Sequence, residues 1–234
     1  MLDMAFEALK KFDYGSDLAT LAPIEDAVIA AHGKPDAGKE LEGRLIAALN
    51  GELSRDAQEW VCRKLATIGT AAAVPRLSVL LVDKDISHMS RFALERIPAP
   101  EASQALRDAL PKVSGKVKIG VISSLGNRRD AGAVSALSGL LKDADPAIAR
   151  AAALALGAIG NDESAAALQA GLKASAANPL TLVDALLSCA EALLAGNKNA
   201  EASAIYKSFV QESQPRLVRL AATRGLLACA GKQA

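Results

Sequence analysis

The chain has 234 residues, of which 51% are apolar, only 3% are aromatic, and 50 are alanine. Alanine is the best helix former and bulky aromatic side chains are scarce, so this composition predicts an all-α protein of closely packed helices. The formal net charge is +1, from 27 basic and 26 acidic residues. This balance lacks the basic excess of proteins that bind nucleic acid or anionic membranes, and neither partner is expected.

The N-terminal segment "MLDMAFEALKKF" has the pattern of an amphipathic helix, predicted over residues 1–11. It lacks the basic and then apolar order of a signal peptide. No apolar run approaches the ~20 residues that a membrane-spanning helix requires. A cytoplasmic location is therefore the default expectation, and export is the alternative if the chain is one region of a larger protein.

Four blocks of 13 residues recur along the chain, and each begins and ends in leucine. They are "LATIGTAAAVPRL" from residue 65, "LERIPAPEASQAL" from 94, "LGNRRDAGAVSAL" from 125 and "LGAIGNDESAAAL" from 156. Leucines or small residues follow each block at three- and four-residue spacing, on one face of a helix. Each unit is therefore predicted to be a helix, a tight turn and a second helix.

Extending this pattern predicts a single domain over residues 1–234 with about six antiparallel helix pairs. The first helices are predicted over residues 16–32, 55–68, 87–97, 115–126, 146–160, 179–196 and 215–231. The second helices are predicted over residues 37–50, 71–82, 100–111, 130–142, 163–174 and 199–212. The best-defined repeats are residues 54–85, 86–114, 115–145 and 146–178, with weaker units at residues 1–53 and 179–234.

Residues that start and end helices support these boundaries. Asp145 and Asn178 each precede a proline and are expected to cap a helix, as are Ser54 and Ser87. Gly69 and Gly160 follow isoleucine at the end of a first helix, where glycine can close the helix in the left-handed conformation.

The helix predicted over residues 146–160 is rich in alanine because neighbouring backbones must approach it closely. This role is assigned to Ala151, Ala152, Ala153 and Ala155, and the filling of the remaining gaps to Leu154, Leu156 and Ile159. A large side chain at Ala152 or Ala155 should overpack the stack and cost about 1–3 kcal/mol.

The segment "DPAIARAAALALGAIGNDESAAALQAGL" resembles the short HEAT repeat of bacterial proteins, including phycobilisome-lyase-like HEAT proteins. The shared features are the Asp-Pro entry, the alanine-rich first helix, the Leu-Gly-x-Ile-Gly turn and the leucines that follow. The resemblance covers residues 56–172, although Arg128 and Arg129 replace the Ile-Gly pair. The last unit, "AEASAIYKSFVQESQP", is closer to a tetratricopeptide repeat. The resemblance implies a right-handed α-solenoid, a HEAT-like superhelix that binds protein.

In such arrays the second helices line the concave side, so their outer positions are candidates for binding a partner. These positions are Arg76, Val79, Gln104, Arg107, Asp108, Ser135, Ser138 and Gln169. The set is small, polar and mixed, so an ordinary solvated face is the alternative interpretation.

The helix predicted over residues 215–231 is apolar on nearly all sides apart from three arginines. Terminal repeats need a polar outer face, so another repeat, a covering domain or a second copy is expected to cover this one. The possible assembly residues are Leu217, Leu220, Leu226 and Leu227. The alternative is an end that tucks against its own chain.

Residues with catalytic or ligand chemistry are scattered along the chain. His32 and His88 have no second ligand at helical spacing, and Cys62, Cys189 and Cys229 lie within apolar helical runs. No cofactor, metal site or catalytic residue is predicted, and the thiols are expected to be buried.

These observations favour a non-enzymatic scaffold or adaptor that binds a protein partner. A chromophore-lyase-like or chaperone-like HEAT subunit is one alternative, suggested by the resemblance alone. A HEAT-like DNA-binding protein is a less favoured alternative, because it would need a basic concave face.

Overall fold

A computed structural model describes residues 1–31, 34–174 and 179–231, and within these ranges all regular structure is helical. The predicted fold class, an all-α solenoid of helix pairs, is confirmed. The helices are α1 (Leu2–Leu9), α2 (Ala22–Ala30), α3 (Pro35–Leu49), α4 (Arg55–Ile68), α5 (Val74–Leu80), α6 (Ser87–Arg96), α7 (Pro100–Ala109), α8 (Gly115–Asn127), α9 (Val134–Leu140), α10 (Pro146–Ile159), α11 (Asp162–Lys173), α12 (Pro179–Ala195), α13 (Asn199–Lys207) and α14 (Arg216–Gly231).

The helices form two compact units, residues 1–124 and 125–234. In the first unit, α4 packs against α6 and α5 packs against α7. In the second unit, α10 packs against α12, which also contacts α14, while α9 packs against α11. First helices therefore stack on first helices and second helices on second helices, as in a repeat array.

The leucines that define the four blocks form the core of the stacks. Every leucine that begins or ends a block is 0% exposed: Leu65, Leu77, Leu94, Leu106, Leu125, Leu137, Leu156 and Leu168. A three- and four-residue period places such residues on one helix face, so a periodicity visible in the sequence was enough to identify the core.

Small residues bring α10 close to its neighbours, as the alanine content predicted. Ala152 and Ala155 are buried. A β-carbon built on Gly126 would lie 2.8 Å from the Cα atom of Ala155, and one built on Gly157 would lie 2.8 Å from the carbonyl oxygen of Ala185. The backbones therefore touch almost directly on both sides of α10.

Leu154 does not fill a gap in this helix, which corrects the assignment made from the sequence. Its side chain is 47% exposed, whereas Leu156 and Ile159 are buried as predicted. Residues two apart on a helix do not share a face, so Leu154 points away from the side that buries Leu156.

The helix starts are confirmed at two of the predicted caps. The side chain of Asp145 accepts a hydrogen bond from the backbone N–H of Ala147 at 2.8 Å, and Ser54 accepts one from Ala57 at 3.1 Å. The predicted cap at Ser87 is wrong. Its hydroxyl is buried and donates to the carbonyl of Leu81 at 2.8 Å. Asn178 lies outside the described residues.

The left-handed helix end is confirmed at Gly160, which has φ 64° and ψ 37°. It is wrong for Gly69, which is extended with φ −64° and ψ 142° because a short 3-10 turn, Ala71–Ala73, begins two residues later. Arg129 takes the left-handed position at the end of α8, with φ 50°. The N–H groups of Arg129 and Asp130 bond the carbonyls of Gly126 and Leu125, which is the Schellman pattern of a helix end.

Four predicted helices are shorter than expected by five residues or more. The helices predicted over residues 71–82 and 130–142 are reduced to α5 and α9, each of which follows a 3-10 turn. The helix predicted over residues 199–212 ends at Lys207, because the Ser208 hydroxyl donates to the carbonyl of Ile205 at 2.6 Å and competes with the N–H that would continue the helix. The helix predicted over residues 16–32 begins at Ala22, after a 3-10 turn that Asp17 caps.

Candidate functional site: a groove between α5 and α7

The first wall of the groove is α5, and its start is fixed by residues from two parts of the chain. The Thr70 hydroxyl accepts a hydrogen bond from the N–H of Ala72 at 3.2 Å. The carboxylate of Glu42, from α3, accepts hydrogen bonds from the Thr70 N–H at 2.6 Å and from its hydroxyl at 2.9 Å. Glu42 is only 1% exposed, so a buried carboxylate fixes the turn that leads into α5.

The second wall is α7, on which three polar side chains bond one another. The Gln104 amide donates to the carboxylate of Asp108 at 2.7 Å, and the Arg107 guanidinium donates to the Gln104 carbonyl oxygen at 2.6 Å. Residues three and four apart on a helix are neighbours, so these contacts follow from the spacing. They link Gln104 to both of its neighbours on the exposed surface of α7.

The groove between these helices has a volume of about 330 Å³. Its apolar part comes from Val74, Pro75, Ala105 and Ala109, and its charged part from Glu101, Asp108 and Lys112. An apolar surface bordered by a few polar groups suits an aliphatic side chain with a charged or amide group beside it.

The structure places the predicted binding residues of this unit in different environments. Gln104 and Asp108 line the groove, whereas Arg107 supports Gln104 from outside it. Val79 is 58% exposed on α5 but does not line the groove. The Arg76 guanidinium is half-buried and donates to the carbonyl of Leu49 at the end of α3, so it is committed to the fold.

The predicted binding residues of the second unit lie on α9 and α11. Ser135 and Gln169 are exposed on α9 and α11. Ser138 is half-buried, and its hydroxyl donates to the carbonyl of Val134 at 2.7 Å. Their contact with a partner stays a prediction.

Glu101, Ala105 and Lys112 line the groove but were not singled out in the sequence. Glu101 lies three residues before Gln104 and seven before Asp108, so the helical period of α7 places these three residues on one face. That spacing could have identified Glu101 as a lining residue from the sequence. No sequence pattern identifies Val74 and Pro75 on the opposing wall, because their position in the groove depends on how α5 packs against α7.

Three of the predicted assembly leucines are exposed on α14. Leu217 is 79% exposed, Leu220 55% and Leu227 70%, while Leu226 is half-buried. Large exposed apolar side chains grouped on one helix are uncommon on a free surface and are typical of an interaction surface.

His88 and the three cysteines lie in different environments. His88 lies with its Nε2 atom 3.4 Å from a carboxylate oxygen of Glu59, at the surface. His32 lies outside the described residues. The prediction of buried thiols is confirmed for Cys62, Cys189 and Cys229.

We expect Cys62 and Cys189 to resist alkylation near pH 8 in the folded protein. Burial raises the pKa of Cys62 to about 12 and that of Cys189 to about 11, and nearby carboxylates add to both shifts. Only the thiolate reacts, so modification by iodoacetamide, followed by mass spectrometry, should require unfolding. Rapid modification of either residue without denaturant would contradict this expectation.

The same shifts predict lower stability at high pH. The folded-state pKa values lie above the free-thiol value of 9.0, so the folded protein holds its thiol protons more tightly than the unfolded chain. Stability from these groups is complete below pH 9.0 and is lost progressively as pH rises towards 11 and 12.

Across the described residues, no group of three or more His, Cys, Asp or Glu side chains is placed to hold a metal ion. No helix in those same ranges combines the length and apolar character that crossing a membrane requires.

Comparisons with known proteins identify one family within the chain. Residues 103–186, from α7 into α12, match the family described as HEAT repeats. A comparison with curated proteins gave no significant match.

Two solved structures resemble the chain over nearly its whole length. The crystal structure of an engineered protein is 22% identical, with a TM-score of 0.44, and the match covers 97% of this chain and 68% of that one. Human deoxyhypusine hydroxylase in complex with glycerol is 17% identical, with a TM-score of 0.39 and coverage of 98% and 96%. Identities and scores this low carry no conclusion about function. The family match confirms the resemblance found in the sequence for residues 103–186, which are similar to HEAT repeats.

Proposed function

We propose that this chain is a non-enzymatic scaffold that binds other proteins, and that the groove between α5 and α7 is one of its contact surfaces. The observation that carries the proposal is the combination of an apolar floor with a charged rim. Val74, Pro75 and Ala105 offer apolar area, and Glu101 and Asp108 offer carboxylates beside it. Protein interfaces combine an apolar centre with a polar rim in this way.

Hydrogen bonds on both walls of the groove support the same proposal. Glu42 and Thr70 hold the start of α5, and hydrogen bonds join Gln104, Arg107 and Asp108 on the surface of α7. A preformed surface binds with a smaller loss of conformational entropy than one that must become ordered. With two carboxylates and one lysine in its lining, the groove favours a partner segment that places a lysine or arginine beside an aliphatic side chain.

Co-purification from host cells, followed by mass spectrometry, tests this function with two tryptophan variants. Ala105→Trp fills the groove, whereas Ala158→Trp places the same side chain on the exposed surface of α10, away from the groove and from the second helices. We expect the proteins recovered with the wild type to be recovered with Ala158→Trp and lost with Ala105→Trp. Full recovery with Ala105→Trp would rule out the groove as a contact surface. Circular dichroism checks that both variants fold.

A further inference from the structure

The outward side of α14 is apolar and opposite to its core face. Val218, Ala222, Gly225 and Cys229 are buried at four- and three-residue spacing, in a helix that packs against α12 and α13. Leu217, Leu220 and Leu227 lie on the other side and are between 55% and 79% exposed. We call this surface, together with Arg216 and Arg224, the α14 outer face.

The α14 outer face is held in place by tight packing underneath. A β-carbon on Gly225 would lie 2.3 Å from the ring of Tyr206, so the glycine lets that ring lie directly against the helix backbone. Tyr206 is only 2% exposed. The leucines are therefore presented by a rigid helix, which lowers the entropic cost of docking a partner on them.

The positive charge of α14 indicates what kind of partner could bind to its outer face. The helix carries Arg216, Arg219 and Arg224 and has no acidic residue between residues 216 and 231. Arg224 follows Leu220 by four residues and precedes Leu227 by three, so it lies among the exposed leucines. Two copies of this face placed against each other would bring like charges together, which opposes a symmetric contact.

We propose that the α14 outer face docks an acidic amphipathic helix of another protein. Leucine-sized side chains of that helix would pack between Leu217, Leu220 and Leu227, and its carboxylates would pair with Arg216 and Arg224. Helix faces with apolar residues at this spacing pack by interleaving their side chains. The inference rests on the proposed scaffold role. The α14 outer face shares no residue with the groove between α5 and α7, so an experiment can disprove one binding surface without disproving the other.

Binding of two designed peptides tests the proposal by fluorescence anisotropy. Both are helical with leucines at three- and four-residue spacing, and they differ only in carrying glutamates or lysines beside the leucines. We expect the acidic peptide to bind the full chain, with an affinity that falls as salt is added, and the basic peptide to bind at least about tenfold more weakly.

Variants of exposed residues locate the site. Leu220→Asp should abolish binding of the acidic peptide, and Arg224→Glu should weaken it about tenfold while improving binding of the basic peptide. Leu154→Asp is the matched control, because Leu154 is an exposed leucine on α10 and should leave binding unchanged. Ala105→Trp, which fills the groove, should also leave it unchanged.

Three outcomes would overturn the proposal. The first is no binding of the acidic peptide, and the second is equal binding of both peptides, which would indicate unspecific apolar adhesion. The third is self-association of the chain, seen by sedimentation and lost in Leu220→Asp, which would make a second copy the occupant. Loss of co-purified proteins in Ala105→Trp alone would leave the groove proposal intact.

Discussion

Gly160→Ala should lower the free energy of unfolding by about 2–4 kcal/mol, measured by chemical denaturation with circular dichroism. Gly160 ends α10 in the left-handed conformation, which costs a residue with a β-carbon about 1–2 kcal/mol. A β-carbon there would also lie 2.2 Å from the Cβ atom of Ala192 in α12. The backbone strain is local to residue 160, whereas the clash is with a residue of α12. Because the two effects have separate causes, their costs should add.

Arg129 and Gly139 provide matched comparisons in the same unit. Arg129 occupies the position equivalent to Gly160 in the preceding repeat, and it has a positive φ although it is not glycine. Arg129→Gly should therefore raise stability by about 1 kcal/mol. Gly139 lies in α9, where an added β-carbon would have no atom within 4 Å, so Gly139→Ala should raise it by about 0.5–1 kcal/mol. A Gly160→Ala protein as stable as the wild type would refute the expected strain.

Glu42→Ala should destabilise the protein by about 2–3 kcal/mol, because it removes a charged acceptor from a buried site. The substitution would leave the Thr70 N–H without its 2.6 Å partner and free the Thr70 hydroxyl. Glu42→Gln keeps one acceptor oxygen and should lose only part of this energy. Urea denaturation measures both variants.

Glu40 is the control for this prediction, since it is exposed on the same helix. Glu40→Ala should change stability by less than about 0.5 kcal/mol. Equal losses for Glu40→Ala and Glu42→Ala would show that the contact with Thr70 contributes little. Because the turn at Thr70 leads into α5, Glu42→Ala should also weaken any binding in the groove.

The candidate groove was only partly predictable from the sequence. Gln104 and Asp108 were identified because their spacing on α7 is local, and the structure places both in the groove. Arg76 was named by the same reasoning, yet its guanidinium reaches the carbonyl of Leu49, 27 residues earlier. A helix pattern shows which side a residue takes but not which distant backbone atom lies there.

The α14 surface was predicted more completely. Its leucines and arginines are visible in the sequence, and Leu217, Leu220 and Leu227 are exposed as the apolar pattern suggested. Leu226 is half-buried. The difference follows from the helical spacing, because Leu226 lies four residues after the buried Ala222 and three before the buried Cys229.

The sequence by itself determined the helix pairs and their core, because both depend on residues three or four apart and on local caps such as Asp145. Only the tertiary structure decided the left-handed Arg129, the buried Ser87 hydroxyl and the bond from Glu42 to Thr70. Each of these depends on the geometry of a helix end or on a partner from another element. Local periodicity fixes which face of a helix is buried, whereas polar contacts between elements depend on where the folded chain brings their atoms.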